Sequence, residues 1–325
     1  MTPANTRFLV LCGTFLLALS AGAQTYTQTY PNRPIHIIIP FGAGSSTDQL
    51  ARALAQTITE ETKQQVIVDT RPGANGFIGV QAVAAAAPDG YTVLLGSSAT
   101  HGLNQFLFKN IPYDPVKDFS PVTTLSRGAF IFAVNATSPA TSIREFIEMA
   151  RKQPGKVTLA TGTPGNRLAG ELLQQLTAAQ LLHVPYKTVP AAINDLLGGQ
   201  VDMTIADGGI LLPMIKSGRL RALGVSGTNR WASLPEVPTL REAGVPGYES
   251  GYWTGAWLPA NAPAAVIARL NELLTRATKA PVAQRFFAAT SIESFTMSPD
   301  EFARFQASES ERMGRLIKAA KIEKE

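Results

Sequence analysis

The chain has 325 residues, of which 45% are hydrophobic and 16% are charged, a composition typical of globular proteins. It excludes a disordered chain and a collagen-like fibre. The formal charge of +5 arises from 29 Lys and Arg against 24 Asp and Glu. These basic residues are dispersed and form no run interleaved with aromatics, so we expect no nucleic-acid partner. We expect a chain of this length to form two lobes, because a single hydrophobic core rarely grows to enclose so many residues.

The first 23 residues have the pattern of a secretory signal peptide. A segment carrying Arg7 precedes an apolar run from Phe8 to Leu19, and Ala21-Gly22-Ala23 is a small-x-small cleavage signal. The run is too short to span a bilayer comfortably, and no other stretch reaches the roughly 18 apolar residues of a transmembrane helix. We therefore predict a periplasmic protein that is not embedded in the membrane.

Metal and cofactor sites are not expected. The one cysteine, Cys12, falls within the predicted signal peptide, so the mature protein has no thiolate ligand. His36, His101 and His183 are too far apart in sequence for an HxH or HExxH motif. We predict no metal and no cofactor.

Short apolar runs alternate with segments of helical spacing. The runs are continuous rather than alternating, which favours strands covered on both faces and hence parallel sheets. Leu50, Leu54 and Ile58 illustrate the helical spacing between them. This alternation predicts an α/β fold with right-handed crossovers. The predicted strands are 36–39, 66–68, 91–95, 130–134, 157–160, 181–186, 203–206 and 220–225.

The C-terminal part has a different pattern. Helices are predicted at about 263–278 and 299–320. The second begins with Ser298-Pro299-Asp300-Glu301, a capping box with proline at the first helical position.

A local sequence pattern that occurs twice indicates two lobes that face each other. A strand leads through a Gly- and hydroxyl-rich turn into a helix at Ile39–Asp48 and again at Leu159–Asn166. We predict one discontinuous lobe from residues 24–128 plus 230–325 and a second lobe from 129–229. Two crossings between them would act as a hinge.

The loop Gly42-Ala-Gly-Ser-Ser-Thr-Asp48 offers backbone N–H groups and hydroxyls at a helix N-terminus, where an anion is favoured. It is either an anion cradle or a turn capped by Ser46, Thr47 or Asp48. The loop Thr161-Gly-Thr-Pro-Gly-Asn166 has the same chemistry and the same two interpretations. Neither matches a dinucleotide-binding or P-loop motif.

Other polar residues follow predicted strands. Gly96-Ser-Ser-Ala-Thr-His101 presents hydroxyls where open α/β sheets bind ligands, with His101 as a neighbour rather than a base. Asp207 ends an apolar strand and either contacts a ligand or caps the next helix. Neither Gly-x-Ser-x-Gly nor Ser-x-x-Lys occurs, which argues against a serine hydrolase.

Further motifs are distributed over nearly the whole mature chain, and together they resemble the tripartite tricarboxylate transporter substrate-binding family, the Bug-type periplasmic receptors. The most specific is Pro190-Ala191 followed by Asp195-Leu-Leu-Gly-Gly-Gln-Val-Asp202. The others are Pro40-Phe41 with Asp48, Gly73-Ala-Asn-Gly76, Ala87-Pro-Asp-Gly-Tyr-Thr92, Pro112-Tyr-Asp-Pro115 and Val184-Pro-Tyr-Lys187.

The resemblance implies a type II-like periplasmic binding protein fold, a Venus flytrap of two α/β lobes, with no catalytic activity. It implies a ligand carboxylate held between the loops Phe41–Asp48 and Thr161–Asn166, with Asp207 as the ligand-selecting acid. The predicted ligand-binding residues are Phe41, Gly42, Ala43, Gly44, Ser45, Ser46, Thr47, Asp48, Gly76, Ser97, Ser98, Thr100, Thr161, Thr163, Pro164, Gly165, Asn166, Tyr186, Lys187 and Asp207.

We therefore predict a monomeric periplasmic receptor that captures a small carboxylate and delivers it to an integral-membrane transporter of the tripartite tricarboxylate type. The ligand would be a di- or tricarboxylate, an aromatic acid or an acidic amino acid. Two alternatives stay open. One is an exported α/β enzyme acting on an acyl or phosphoryl group, and the other is a co-receptor for a sensor kinase ectodomain.

Overall fold

A computed structural model describes residues 30–319 and 322–325, so the predicted signal peptide lies outside the described residues. The strands are β1 (Ile35–Ile39), β2 (Val66–Thr70), β3 (Thr92–Ser97), β4 (Phe119–Gly128), β5 (Ile131–Asn135), β6 (Thr158–Thr161), β7 (Leu182–Pro185), β8 (Met203–Ala206), β9 (Leu220–Val225), β10 (Tyr252–Pro259) and β11 (Glu293–Ser294). The α-helices are α1 (Ser46–Thr62), α2 (Phe77–Ala84), α3 (Asn104–Leu107), α4 (Ile143–Lys152), α5 (Pro164–Thr177), α6 (Val189–Leu197), α7 (Gly208–Lys216), α8 (Ala264–Lys279), α9 (Pro281–Thr290) and α10 (Pro299–Ala319).

The strands form two sheets, each covered by helices. The sheet of the first lobe has the order β11-β4-β10-β3-β1-β2, and that of the second lobe has the order β7-β6-β8-β5-β9. The predicted two-lobed α/β fold is confirmed. All the predicted strands are present within a few residues of their predicted bounds, and the predicted capping box opens α10, where Ser298 and Glu301 bond each other's backbone N–H.

The prediction of parallel sheets is wrong for part of each sheet. β1 runs parallel to β2 and β3, and β6 runs parallel to β7 and β8. However, β10 is antiparallel to β3 and β4, and β5 is antiparallel to β8 and β9. A continuous apolar run indicates that a strand is buried on both faces of its sheet. It does not indicate the direction of the strand, because these antiparallel strands are buried on both faces as well.

Each lobe has its own hydrophobic core. In the first lobe, α1 and α8 pack Leu54, Ile58 and Leu273 against strands β1 and β3. In the second lobe, separate clusters cover the two faces of the sheet, with Phe132 on one face and Ile131 on the other. Trp253 and Trp257 lie in a buried aromatic cluster with Phe302.

The chain passes between the lobes at two places that lie side by side. It leaves the first lobe between β4 and β5, and it returns into β10, where Tyr252 pairs with Gly128. Residues 231–248, assigned to the first lobe from sequence, bury Trp231 and Tyr248 against the second sheet. Because this packing fixes the segment to the second lobe, we propose a return crossing near Ser250 instead of at 229/230.

Among the described residues, no helix is both long enough and apolar enough to cross a membrane.

A substitution at Phe132 tests how much the core of the second lobe contributes to stability. The Phe132 ring is fully buried on the interior strand β5 and packs edge-on against Tyr248 at 5.7 Å between ring centroids. We expect Phe132→Ala to lower the free energy of unfolding by about 3–5 kcal/mol, because it leaves a cavity. Urea denaturation measures this loss. The control Leu182→Ala, at a side chain that is 50% exposed, should change stability by about 0.5 kcal/mol or less, and equal losses in both variants would contradict the assignment.

Candidate ligand-binding cleft

A cavity of about 90 Å³ lies between the lobes at the ends of several strands. On the first lobe it is lined by the loop after β1, by the turn before α2 and by residues that follow β3. On the second lobe it is lined by the loops that precede α5, α6 and α7. Phe130, Tyr252 and Thr254 line it at the crossings.

The loop after β1 caps a helix and also lines the cavity. The Ser45 hydroxyl caps α1 by accepting the Asp48 N–H at 3.3 Å, so the cap precedes the predicted candidates by one or more residues. The Asp48 carboxylate accepts the Gly44 N–H at 2.8 Å and pairs with Arg52 at 2.9 Å. Ser46 and Thr47, the first two residues of α1, line the cavity, and their amides have no intrahelical partner.

The second lobe repeats this arrangement. The Thr163 hydroxyl caps α5 by accepting the Asn166 N–H at 3.2 Å, and Pro164 and Gly165 begin the helix at the cavity. Thr188 caps α6 and Asp207 caps α7, and both of these residues also line the cavity. Four helices therefore direct their N-termini toward one space, and the partial positive charges there favour an anion.

Asp207 caps its helix and also joins the two lobes. Its Oδ1 accepts the Gly209 N–H at 3.1 Å and also accepts the hydroxyl of Ser46 from the first lobe. Burial raises the pKa of Asp207, and the bonds from Ser46 and Gly209 partly oppose that rise. Gln49 adds a second cross-cleft bond, from its Nε2 to the Gly209 carbonyl at 3.3 Å. The lobes are thus in contact across the mouth of the cavity.

Most of the predicted binding residues line the cavity, and their contact with a ligand remains a prediction. Those that line it are Phe41, Gly42, Ser45, Ser46, Thr47, Gly76, Ser97, Ser98, Thr163, Pro164, Gly165, Asn166, Tyr186, Lys187 and Asp207. The turn before α2 also lines it, through Gly73, Ala74, Asn75 and Gly76.

Five predicted residues lie outside the cavity lining, each for a local reason. Ala43 and Gly44 belong to the bulge of the loop that Asp48 closes through the Gly44 amide. Thr100 turns to the Ser97 carbonyl and to His101, and Thr161 bonds His183 at 2.6 Å. Their polar groups therefore stabilise the loops instead of facing the cavity.

Other candidate groups are also engaged elsewhere. Arg167, which follows Asn166 in α5, pairs with Glu325 at 2.5 Å. His101 is buried and stacks on Trp257 with ring centroids 3.9 Å apart, and burial lowers its pKa to about 3. Tyr186 faces the cavity, but its hydroxyl donates to Asp195 at 2.6 Å.

Sequence reasoning missed the residues at the crossings. Phe130, Tyr252 and Thr254 line the cavity because both crossings pass its floor, and their local sequence carries no ligand-binding motif. The remaining residues that it missed are Pro40, Gly73, Ala74, Asn75, Ala99, Gly162, Thr188, Val189 and Ile210. Most adjoin a predicted loop residue, so extending each loop by one or two positions would have found them.

Two α/β lobes joined by two crossings around a cleft define a periplasmic binding protein, and solved structures agree. The periplasmic binding protein BugD has a TM-score of 0.87 at 32% identity, covering 91% of this chain and 100% of that chain. A protein from R. palustris solved with adipate has a TM-score of 0.86 at 30% identity, over 90% and 98% of the two chains. MatC from Rhodopseudomonas palustris, solved with bound malate, has a TM-score of 0.82 at 27% identity, over 89% and 100%.

The sequence comparison identifies the family. The family model described as "Tripartite tricarboxylate transporter family receptor" matches residues 50–322. Protein BugT of Bordetella pertussis is 34% identical over 96% of this chain and 97% of its own length. A UPF0065 protein of Pseudomonas sp. strain P51 is 35% identical over 95% and 93%. The chain belongs to the tripartite tricarboxylate transporter receptor family, which confirms the predicted family and the interpretation as a solute receptor.

A substitution at Gly209 tests whether the contact between the lobes is needed for binding. A Cβ at this position would lie 2.0 Å from the Ser46 hydroxyl oxygen and 2.9 Å from the Ser46 Cβ across the cleft. We expect Gly209→Ala to disfavour the closed arrangement and to weaken binding of a carboxylate about tenfold or more, since such overpacking costs about 1–3 kcal/mol. Isothermal titration measures the affinity, and small-angle X-ray scattering with ligand measures the compaction.

The matched control for that variant is Gly198→Ala, where an added Cβ would meet its nearest neighbour at 3.5 Å, away from the cleft. It should bind and compact as the wild type does. Wild-type affinity and compaction in Gly209→Ala would show that the Ser46–Gly209 approach is unnecessary for binding.

The raised pKa of Asp207 predicts that the stability of the protein depends on pH. Because the folded-state pKa of Asp207 lies above the usual 3.8, the folded protein holds this proton more tightly than the unfolded chain does. The stability of the wild type relative to Asp207→Asn should therefore be greatest at low pH and fall as pH rises through the folded-state pKa. Chemical denaturation of both proteins between about pH 4 and 7 tests this, and a constant difference would show that the carboxyl does not titrate with folding.

Proposed function

We propose that this receptor captures a small carboxylate in the cleft and delivers it to the membrane subunits of a tripartite tricarboxylate transporter. The observation that carries the proposal is the convergence of four helix N-termini, those of α1, α5, α6 and α7, on one cavity. A carboxylate placed there accepts hydrogen bonds from first-turn amides and gains from the helix dipoles.

The amides of Ser46, Thr47 and Gly165 are fixed by their helices before the ligand arrives. Binding to such donors loses little conformational entropy, unlike binding to long flexible side chains. Among the described residues that line the cavity, Lys187 is the one cation, and its side chain is exposed at the mouth. The anion is therefore held mainly by oriented dipoles. The relatives solved with adipate and with malate support this ligand class.

We propose that the receptor binds its ligand without turnover, which the receptor family supports. We propose a periplasmic location, which the family and the predicted signal peptide support. We also propose that a monomer closes on the ligand, because a ligand that contacts both lobes stabilises the closed state.

A thermal-shift screen tests the proposal. The chain from residue 24 to 325, the predicted mature form, is refolded to remove any co-purified ligand and is mixed with mono-, di- and tricarboxylates, aromatic acids and amino acids. A ligand at ~100 times its dissociation constant adds about 2.7 kcal/mol to the stability, which raises the melting temperature by several degrees. We expect hits within one group of carboxylates, each unchanged after incubation. Absence of a shift with every carboxylate would overturn the proposed function, and conversion of a hit would favour an enzyme.

A further inference from the structure

Tyr252 is the cavity residue whose polar group the fold leaves unused. It begins β10 at the return crossing and pairs with Gly128 at the end of the outgoing strand β4. Its ring lies 5.2 Å from that of Phe130, which belongs to the outgoing crossing. The side chain thus forms part of the cavity floor, where the two crossings meet.

The Tyr252 hydroxyl is buried and has no hydrogen-bond partner among the described residues. Buried tyrosine hydroxyls usually find a partner, so an unpaired one beside a cavity indicates a group that a ligand supplies. Burial raises the pKa of Tyr252 well above its ordinary value, and the nearby Asp207 carboxylate adds to that rise. The hydroxyl therefore stays protonated and can donate.

Asn166 provides a second, independent observation in the same wall. Its side chain is only 3% exposed, and its Oδ1 also lacks a partner among the described residues. Asn166 follows Gly165, where an added Cβ would be 3.5 Å from the Phe130 ring that packs on Tyr252. An unpaired donor and an unpaired acceptor therefore belong to residues that line the same cavity.

We propose that Tyr252 and Asn166 form a specificity subsite for a hydroxyl group on the ligand carboxylate, an inference that rests on the proposed function. A ligand hydroxyl accepts from the Tyr252 O–H and donates to the Asn166 Oδ1, so it satisfies both groups at once. A ligand without this hydroxyl would leave the Tyr252 O–H and the Asn166 Oδ1 unpaired inside the closed cavity. The preferred substrates are therefore hydroxycarboxylates.

Pairs of ligands that differ by one hydroxyl test this subsite. Malate is compared with succinate, 2-hydroxyglutarate with glutarate, and citrate with tricarballylate, by isothermal titration of the refolded wild type. In the pair that binds best, we expect the hydroxylated member to bind about tenfold tighter or more, since the deoxy member leaves buried polar groups unpaired. Tyr252→Phe should reduce this ratio by roughly 3- to 10-fold, by weakening the hydroxylated member alone. Asn166→Ala should reduce it similarly.

Tyr186→Phe is the matched control, because the Tyr186 ring also lines the cavity but its hydroxyl is bonded to Asp195. This variant should keep the wild-type ratio. The melting temperature of ligand-free Tyr252→Phe separates ligand contact from a structural role, since removal of an unpaired hydroxyl should leave it unchanged or raised.

The possible failures are distinguishable. If the wild type binds none of the six acids and no other carboxylate, the proposed function fails. If it binds deoxy members as tightly as hydroxylated ones, or if Tyr252→Phe keeps the ratio, only the hydroxyl subsite is overturned. A lower melting temperature with an unchanged ratio would assign Tyr252 to the fold instead.

Discussion

The constraint on which this structure depends is the unpaired backbone N–H at the start of a helix. Such amides need an acceptor, and the four helices that begin at the cleft bring several of them into one space. The loops before these helices are short, since α1 follows β1 in the first lobe and α5, α6 and α7 follow β6, β7 and β8 in the second. The architecture thus offers an anion a set of backbone donors, and in the proposed function the side chains determine how the site closes and which anion fits.

The backbone amides of the first helical turn can bond either a capping side chain or a ligand. In this sequence only some of them bond a cap. Ser45 takes the amide of Asp48, and Thr163 takes that of Asn166, which stabilises each helix start without a ligand. The earlier amides, at Ser46, Thr47 and Gly165, remain for an anion. A cap that bonded every first-turn amide would make a more stable helix but would abolish the binding site.

Local patterns predicted most of the strands and the loops that begin at them, because turn chemistry and caps are encoded within a few residues. Contacts between distant segments could not be predicted in this way. Tyr252 lies at the cleft because β10 pairs with β4. Residues 231–248 belong to the second lobe because their apolar side chains pack against its sheet. Likewise, the Gly44 amide belongs to Asp48, since a carboxylate within the loop competes with any ligand.

The bonds that hold the lobes together are distinct from the bonds that a ligand would make. The Ser46–Asp207 bond and the Gln49–Gly209 bond form between the lobes without any ligand atom. They favour the closed state for every ligand equally, and so they cannot discriminate among ligands. Glycines make this approach possible: a Cβ at Gly42 would be 2.7 Å from the Thr188 methyl carbon across the cleft. Discrimination would therefore have to come from the hydrogen bonds and contacts that the ligand itself makes with the cavity lining.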